Sequence, residues 1–311
     1  MKTLKEFLLL ICLLVVSAIV SAQQNAMYSQ YMFNTLAINP AYAGSRNVVS
    51  ATGLYRSQWN GIDGAPETTT FTVDGALNSK RIGLGFQLYN DKLGITKTTG
   101  AAVSYAYRIR MNEASLSFGL QGSVSQYVAD FTSVSLGSQS SYDPAFANNV
   151  NKVLFNFGTG VYYNSDRFYL GLSAQDLLNN KLTENNATTD STMGNRKSIH
   201  LFLASGYVFT LTDDFKLKPS FLVKGVKGAP LEADFNATLW IKDVLAIGAQ
   251  YRSSADLAGI LEVQATPQIR IGYSYDHSIT RLRNFNTGSH EIMLRYEFGS
   301  RRGKILSPRY F

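Results

Sequence analysis

Cysteine is nearly missing from this sequence: Cys12 is the single one in 311 residues. It lies inside an N-terminal apolar run, so disulfides, thiolate metal sites and thiol nucleophiles are excluded for the rest of the chain. Charge is also scarce. Asp, Glu, Lys and Arg make up 16% of residues against 45% apolar ones, which excludes disordered and coiled-coil chains. Histidine occurs at His200, His277 and His290 alone, with no pair at metal-ligand spacing, so no metal and no cofactor is expected. After residue 22 no apolar run is long enough for a membrane-spanning helix. A mean hydropathy of -0.07 likewise argues against a protein built of several such helices.

What is abundant points to strands. Tyr and Phe number 18 each and Gly 25, a mixture that suits sheets with tight turns and does not suit helices. The N-terminus reads as an export signal: Lys2 and Lys5, then the apolar run from Phe7 to Val20, then Val20-Ser21-Ala22 before Gln23. Residues 1–22 are therefore expected to be a signal peptide. Lys and Arg are scattered along the remaining chain, which gives no support to nucleic-acid binding.

From residue 51 to residue 298 the dominant pattern is apolar and polar side chains in strict alternation. Leu84, Phe86 and Leu88 alternate with Gly83, Gly85 and Gln87; Val103, Tyr105, Tyr107 and Ile109 with Ser104, Ala106, Arg108 and Arg110; Ile292, Leu294, Tyr296 and Phe298 with Glu291, Met293, Arg295 and Glu297. About fourteen such segments are expected, centred near residues 54, 73, 86, 104, 120, 158, 171, 204, 220, 236, 248, 260, 272 and 294. Segments of roughly 9 to 11 residues are what a tilted strand needs to cross a membrane, whereas strands of soluble sheets average nearer five or six. Connections also alternate in length. Turns are short at residues 78–80, 111–113, 164–166, 211–214, 241–243 and 265–267. Links are longer at 58–68, 91–97, 129–151, 176–197 and 277–288, with short members of that set at 225–229 and 253–255. Short turns on one side and long loops on the other are the layout of a bacterial outer-membrane barrel. The expected fold is thus all-β, a single closed antiparallel transmembrane barrel in the cell outer membrane, with both ends of the wall on the short-turn, periplasmic side.

Closure follows from hydrogen bonding, because a sheet facing lipid must leave no edge unpaired. Apolar faces then meet outer-membrane lipid, and polar faces line the interior. Arg108, Arg110, Lys218, Asp234, Arg270 and Arg295 are the candidate lumen charges, which could tune ion passage in an open pore or bond a plug in a closed one. Lys216, Lys224, Glu232, Asp276, Glu291 and Glu297 belong to the same face. Two stretches break the alternation. Residues 23–50, with Tyr28, Tyr31, Phe33 and Asn39-Pro40-Ala41-Tyr42-Ala43-Gly44, are expected to form a periplasmic or lumenal segment in which Pro40 ends any short helix before it. Residues 299–311 are expected to be a basic periplasmic tail.

No catalytic constellation emerges. Residues 272–276 (Gly-Tyr-Ser-Tyr-Asp) resemble a nucleophile elbow but lack its closing Gly and lie within a strand. Ser289-His290 and Asp276-His277 are adjacent on strands, so each pair points to opposite faces. The protein is not expected to be an enzyme.

Residues 28–34 (Tyr-Ser-Gln-Tyr-Met-Phe-Asn), 39–46 (Asn-Pro-Ala-Tyr-Ala-Gly-Ser-Arg), 55–59 (Tyr-Arg-Ser-Gln-Trp), 217–224 and the ending 288–296 (Gly-Ser-His-Glu-Ile-Met-Leu-Arg-Tyr) resemble the PorP/SprF family of type IX secretion system membrane proteins. The resemblance implies an outer-membrane component of the secretion or gliding machinery. Its partners would be periplasmic ring or linker proteins of that system and a secreted surface protein carrying a C-terminal sorting domain. The residues carrying the N-terminal motifs, Tyr28, Tyr31, Phe33, Asn39, Pro40, Tyr42, Arg56 and Trp59, are the candidate partner-binding positions. A passive diffusion porin is the alternative function.

Overall fold

The computed structural model describes residues 27–46, 48–77, 80–134, 148–182, 197–227, 229–253 and 255–299. The stretches expected to be a signal peptide (1–22) and a basic tail (past residue 299), and the middles of the links 129–151 and 176–197, lie outside the described residues.

The wall begins with β1 (Val49–Ser57), β2 (Glu67–Ala76), β3 (Ile82–Leu93), β4 (Thr96–Arg110), β5 (Ala114–Ala129), β6 (Val150–Ser165) and β7 (Phe168–Gln175). It continues through β8 (His200–Tyr207), β9 (Phe209–Thr210), β10 (Phe215–Val226), β11 (Glu232–Ile241), β12 (Leu245–Arg252), β13 (Asp256–Gln264), β14 (Ile269–Ser278) and β15 (Ser289–Phe298). β8 and β9 are one wall strand. Both pair with β10 in a single register, Gly206 opposite Ser220 and Phe209 opposite Leu217. The gap between them falls beside Pro219, which has no N–H to give to the ladder. The barrel therefore has fourteen staves, one at each expected position.

Each stave pairs antiparallel with its sequence neighbour, and β15 pairs with β1 across nine residues from Val49 opposite Phe298 to Ser57 opposite His290. That pairing closes the cylinder, so no strand edge is left for lipid to face.

Burial follows the alternation, with the sign expected of a membrane barrel. Leu120 and Phe155 are 65% and 64% exposed, whereas Ser104, Arg108 and Ser117 on the same strands or the next are almost fully buried. A band of Leu, Ile, Val and Phe this wide would be a large transfer penalty in water and is favourable in hydrocarbon. Aromatic pairs mark the ends of the band. Tyr207 and Phe209, with ring centroids 4.7 Å apart, and Tyr296 and Phe298, also 4.7 Å apart, sit at the turn side; Tyr273 and Tyr275 flank His290 at the loop side. Such girdles hold a barrel at the two lipid interfaces.

One expected connection is different. The link 91–97 is not long: β3 and β4 stay paired to Leu93 opposite Thr96, and residues 94–95 alone turn the chain. Gly94, at φ 55°, supplies the left-handed residue this tight turn needs, and its N–H donates to the Gly64 carbonyl at 2.8 Å, so the hairpin tip packs on the β1–β2 loop.

Candidate functional site: a filled lumen and its outer vestibule

A fourteen-stave cylinder is too wide for wall side chains alone to fill. The space is taken by residues 27–46. Three single 3-10 turns, Tyr31–Phe33, Thr35–Ala37 and Pro40–Tyr42, fold this segment compactly inside the wall, and nearly every side chain on it is buried. Asn39 explains the last turn: its side-chain oxygen accepts the Ala41 N–H at 2.9 Å, with Pro40 at the first helical position, where its missing N–H costs nothing.

The segment threads the barrel lengthwise. Its first residues lie in the loop-side half, where the Tyr28 hydroxyl bonds Thr70 at 2.7 Å. Its last residues reach the turn side, where the Gly44 N–H donates to Asp74 at 2.8 Å and Arg46 pairs with Glu297 at 2.6 Å. The N-terminal stretch is therefore lumenal along its described length.

Its loop-side end is gripped by a buried charge cluster. Glu291 accepts the backbone N–H groups of Ser29 (2.9 Å) and Gln30 (2.8 Å), one on each carboxylate oxygen. Arg56 bridges Glu291 at 3.1 Å and Asp276 at 2.7 Å, and also donates to the Ser29 hydroxyl at 2.9 Å. Arg56, Asp276 and Glu291 come from β1, β14 and β15, and none has measurable contact with solvent. Beside them Arg252 pairs with Asp234 at 3.0 Å. The middle of the segment is held by packing. Phe33 meets Trp240 edge-on at 6.3 Å, Lys218 lies 5.1 Å from the Phe33 ring, and Arg270, paired with Glu262 at 2.7 Å, covers the Trp240 ring at 4.8 Å. Asn236 donates to the Tyr31 hydroxyl at 2.8 Å, and Tyr42 packs edge-on to Tyr162 at 5.4 Å.

The wall makes room for this segment with glycine. A Cβ on Gly119 would come within 2.2 Å of the Ala41 nitrogen, and Gly83 and Gly160 face Ala43 and Asn39 just as closely. These positions admit backbone where any side chain would collide. Gly119→Val is expected to unseat residues 39–44 and lower stability by about 1–3 kcal/mol. In a barrel from which residues 28–44 have been excised, the same change should be neutral or stabilising, since Val suits a strand better than Gly. Thermal unfolding of the four proteins in one detergent checks the reversal of sign.

Of the candidate lumen charges, Arg108, Lys218, Asp234, Arg270 and Arg295 are buried inside the barrel. Arg110 is exposed instead, because it is the last residue of β4 and stands at the turn-side rim where water reaches it. Among the described residues, eight buried Arg and Lys side chains face eight buried carboxylates. The buried charges therefore balance in number and leave the lumen without a net charge of one sign. Of the partner-binding candidates, Tyr28, Tyr31, Phe33, Asn39, Pro40, Tyr42 and Arg56 are all buried and engaged within the lumen. Trp59 is half-buried at the loop-side rim, at φ 47°, with its N–H donating to Ser289 at 3.1 Å. Around it the β1–β2 and β14–β15 loops are cross-braced by Asn60 N–H to the Gly288 carbonyl and Thr287 N–H to the Asn60 carbonyl, both 2.8 Å. Ser289 turns inward while His290 faces out, with its Nδ1 2.7 Å from the Tyr273 hydroxyl, so the two do not act together.

Sequence reasoning missed Arg252, Asp74, Glu262 and Trp240. The alternation already carried the signal for three of them: Tyr251 and Arg252, Val73 and Asp74, and Leu261 and Glu262 are each an outward apolar residue beside an inward charge.

Above the segment, the loop-side half of the lumen opens into a vestibule of about 190 Å³ with Tyr28, Ala37 and Ile38 as its floor.

Comparison with known proteins agrees with this architecture. The CymD monoaromatic hydrocarbon channel is similar in fold, with 12% identity, 91% of this chain and 96% of that one covered, and a TM-score of 0.50. The toluene transporter TbuX of Ralstonia pickettii has 10% identity, coverage of 91% and 97%, and a TM-score of 0.49. Omp33 of Acinetobacter baumannii has 9% identity, coverage of 81% and 98%, and a TM-score of 0.45. No curated protein matches the sequence. Residues 20–296 match the family described as type IX secretion system membrane protein PorP/SprF.

Proposed function

Because the chain belongs to the PorP/SprF family of type IX secretion system membrane proteins, we propose that it docks or anchors secreted surface proteins. Family and barrel together make it an outer-membrane component of that secretion system. The observation that supports docking over conduction is the filled lumen, whose inner segment is bonded to the wall from Thr70 at one end to Glu297 at the other. A wall spent on enclosing its own N-terminal segment leaves the two rims as the surfaces where partners engage.

On this reading the secreted client meets the loop side. The cross-braced platform around Trp59 and the described ends of the links 129–151 and 176–197 lie on that side, and residues 135–147 and 183–196 of those links are outside the described residues. Periplasmic ring or linker proteins meet the turn side. The seven buried motif residues serve binding indirectly, by fixing the segment that holds the barrel closed.

Deleting residues 135–147 or 183–196 should leave the barrel inserted, with unchanged heat-dependent electrophoretic mobility, and abolish surface display of the client. Normal display after both deletions would reject the docking role.

A further inference from the structure

The vestibule holds a row of hydrogen-bonding groups that the barrel does not use. Gln87, Tyr89 and Asp91 are alternate residues of β3, so all three side chains face the lumen. Gln87 is only 8% exposed, and among the described residues neither its amide nor the Tyr89 hydroxyl has a hydrogen-bond partner. Asp91 accepts one bond, from the Thr68 hydroxyl at 2.6 Å, and has its second oxygen to spare. The Gln87 amide is not among the buried unpartnered atoms of the barrel, so it opens on the vestibule, where it can bond a ligand that enters.

We propose that this vestibule is a binding site for a neutral oligosaccharide. The row from Gln87 to Asp91 runs about 13 Å along the strand, too long for a single ion or water to satisfy. It presents donors and acceptors in mixed order, as hydroxyl groups require. The floor supplies the other half of sugar recognition, since Tyr28 and Ile38 offer apolar surface to the C–H face of a ring.

Charge excludes the acidic alternatives. Lys197, the lysine lining the cavity, is bonded to Asp176 at 2.9 Å, which leaves the Asp91 carboxylate to repel an anion. An extended peptide would need an unpaired strand edge to add to, and the staves are paired on both sides except at the loop-side end of β6, which runs past its pairing with β7. A purely apolar ligand would leave Gln87 and Asp91 desolvated and unbonded. The inference does not depend on client docking, and either can fail without the other.

The test is saturation-transfer NMR on the full-length protein in detergent. The probes are a panel of neutral trisaccharides built on glucose, mannose, galactose and N-acetylglucosamine, with trigalacturonic acid and a neutral hexapeptide as comparators. At least one neutral trisaccharide should bind saturably, and trigalacturonic acid at least tenfold more weakly. Gln87→Ala and Asp91→Ala should each weaken the binding at least tenfold. Among the described residues Gln87 has no hydrogen-bond partner, so its variant should keep the wild-type thermal transition. Absence of saturable binding by every neutral sugar, tighter binding of the acid or the peptide, or undiminished binding in both variants would overturn the proposal.

Discussion

Excising residues 28–44 and rejoining the ends with a short Gly/Ser linker is expected to turn a non-conducting barrel into an open pore. The segment fills a cylinder of fourteen staves, a size between the side-chain-filled eight-stranded barrels and the water-filled porins. What it would leave behind is a lumen lined by Ser, Thr, Asn and paired charges, which water wets readily. The closed circuit of strand pairing does not involve residues 28–44, so the wall should still insert. Planar-bilayer recordings should show large, long-lived openings for the excised protein and a quiet baseline for the full chain. A full chain that conducts as freely as the excised one would restore the diffusion porin as the better reading.

Arg56→Met carries the second large effect. The arginine is the shared partner of Asp276 and Glu291, and all three are cut off from solvent. Removing it strands two carboxylates side by side, and breaking a buried pair in this way costs about 3–5 kcal/mol. Part of that cost falls on the inner segment, since Glu291 holds the Ser29 and Gln30 N–H groups and would gain a proton or water in place of its cation. The variant should therefore show both a lowered unfolding temperature in detergent and intermittent conductance. A triple change, Arg56→Met with Asp276→Asn and Glu291→Gln, removes the stranded charge and should recover much of the stability. If the single variant were as stable as the wild type, the cluster would not be the clamp described here.

The wall was legible in the sequence because lipid enforces period two with little tolerance. Ile292, Leu294, Tyr296 and Phe298 could be placed on the outer face from their spacing alone, and so could the inward Glu291 and Arg295. Turn placement was less legible. A link at 91–97 looked long because Asp91, Lys92 and Lys97 are polar, but polar residues are also what the barrel wall carries where it rises past the lipid, and β3 and β4 do so before turning at Gly94. Arg110 shows the same ambiguity at the other end: alternation assigns a face but not a depth. The path of the inner segment was legible only in part. Tyr31, Phe33 and Tyr42 announce burial, and Asn39-Pro40 a capped turn, yet nothing local says which wall residues they meet. Those contacts join positions far apart in sequence, 122 residues for Asn39 with Val161 and 205 for Tyr31 with Asn236, so they arise only once the wall has assembled around the segment.

The account turns on a cylinder whose outer face lies in lipid and whose inner face is sealed. Single-cysteine spin labels read both at once, since Cys12 is the one cysteine of the sequence and Cys12→Ser removes it. Labels would be placed by Val103→Cys, Ser104→Cys, Tyr105→Cys, Ala106→Cys and Tyr107→Cys along β4 in reconstituted vesicles. Oxygen, which concentrates in lipid, should relax labels at 103, 105 and 107, while labels at 104 and 106 should be immobile and shielded from both oxygen and a water-soluble nickel chelate. Equal nickel access at 104 and 106 would mean a water-filled lumen, and nickel access at 103, 105 and 107 would mean a face in water; either result contradicts the account.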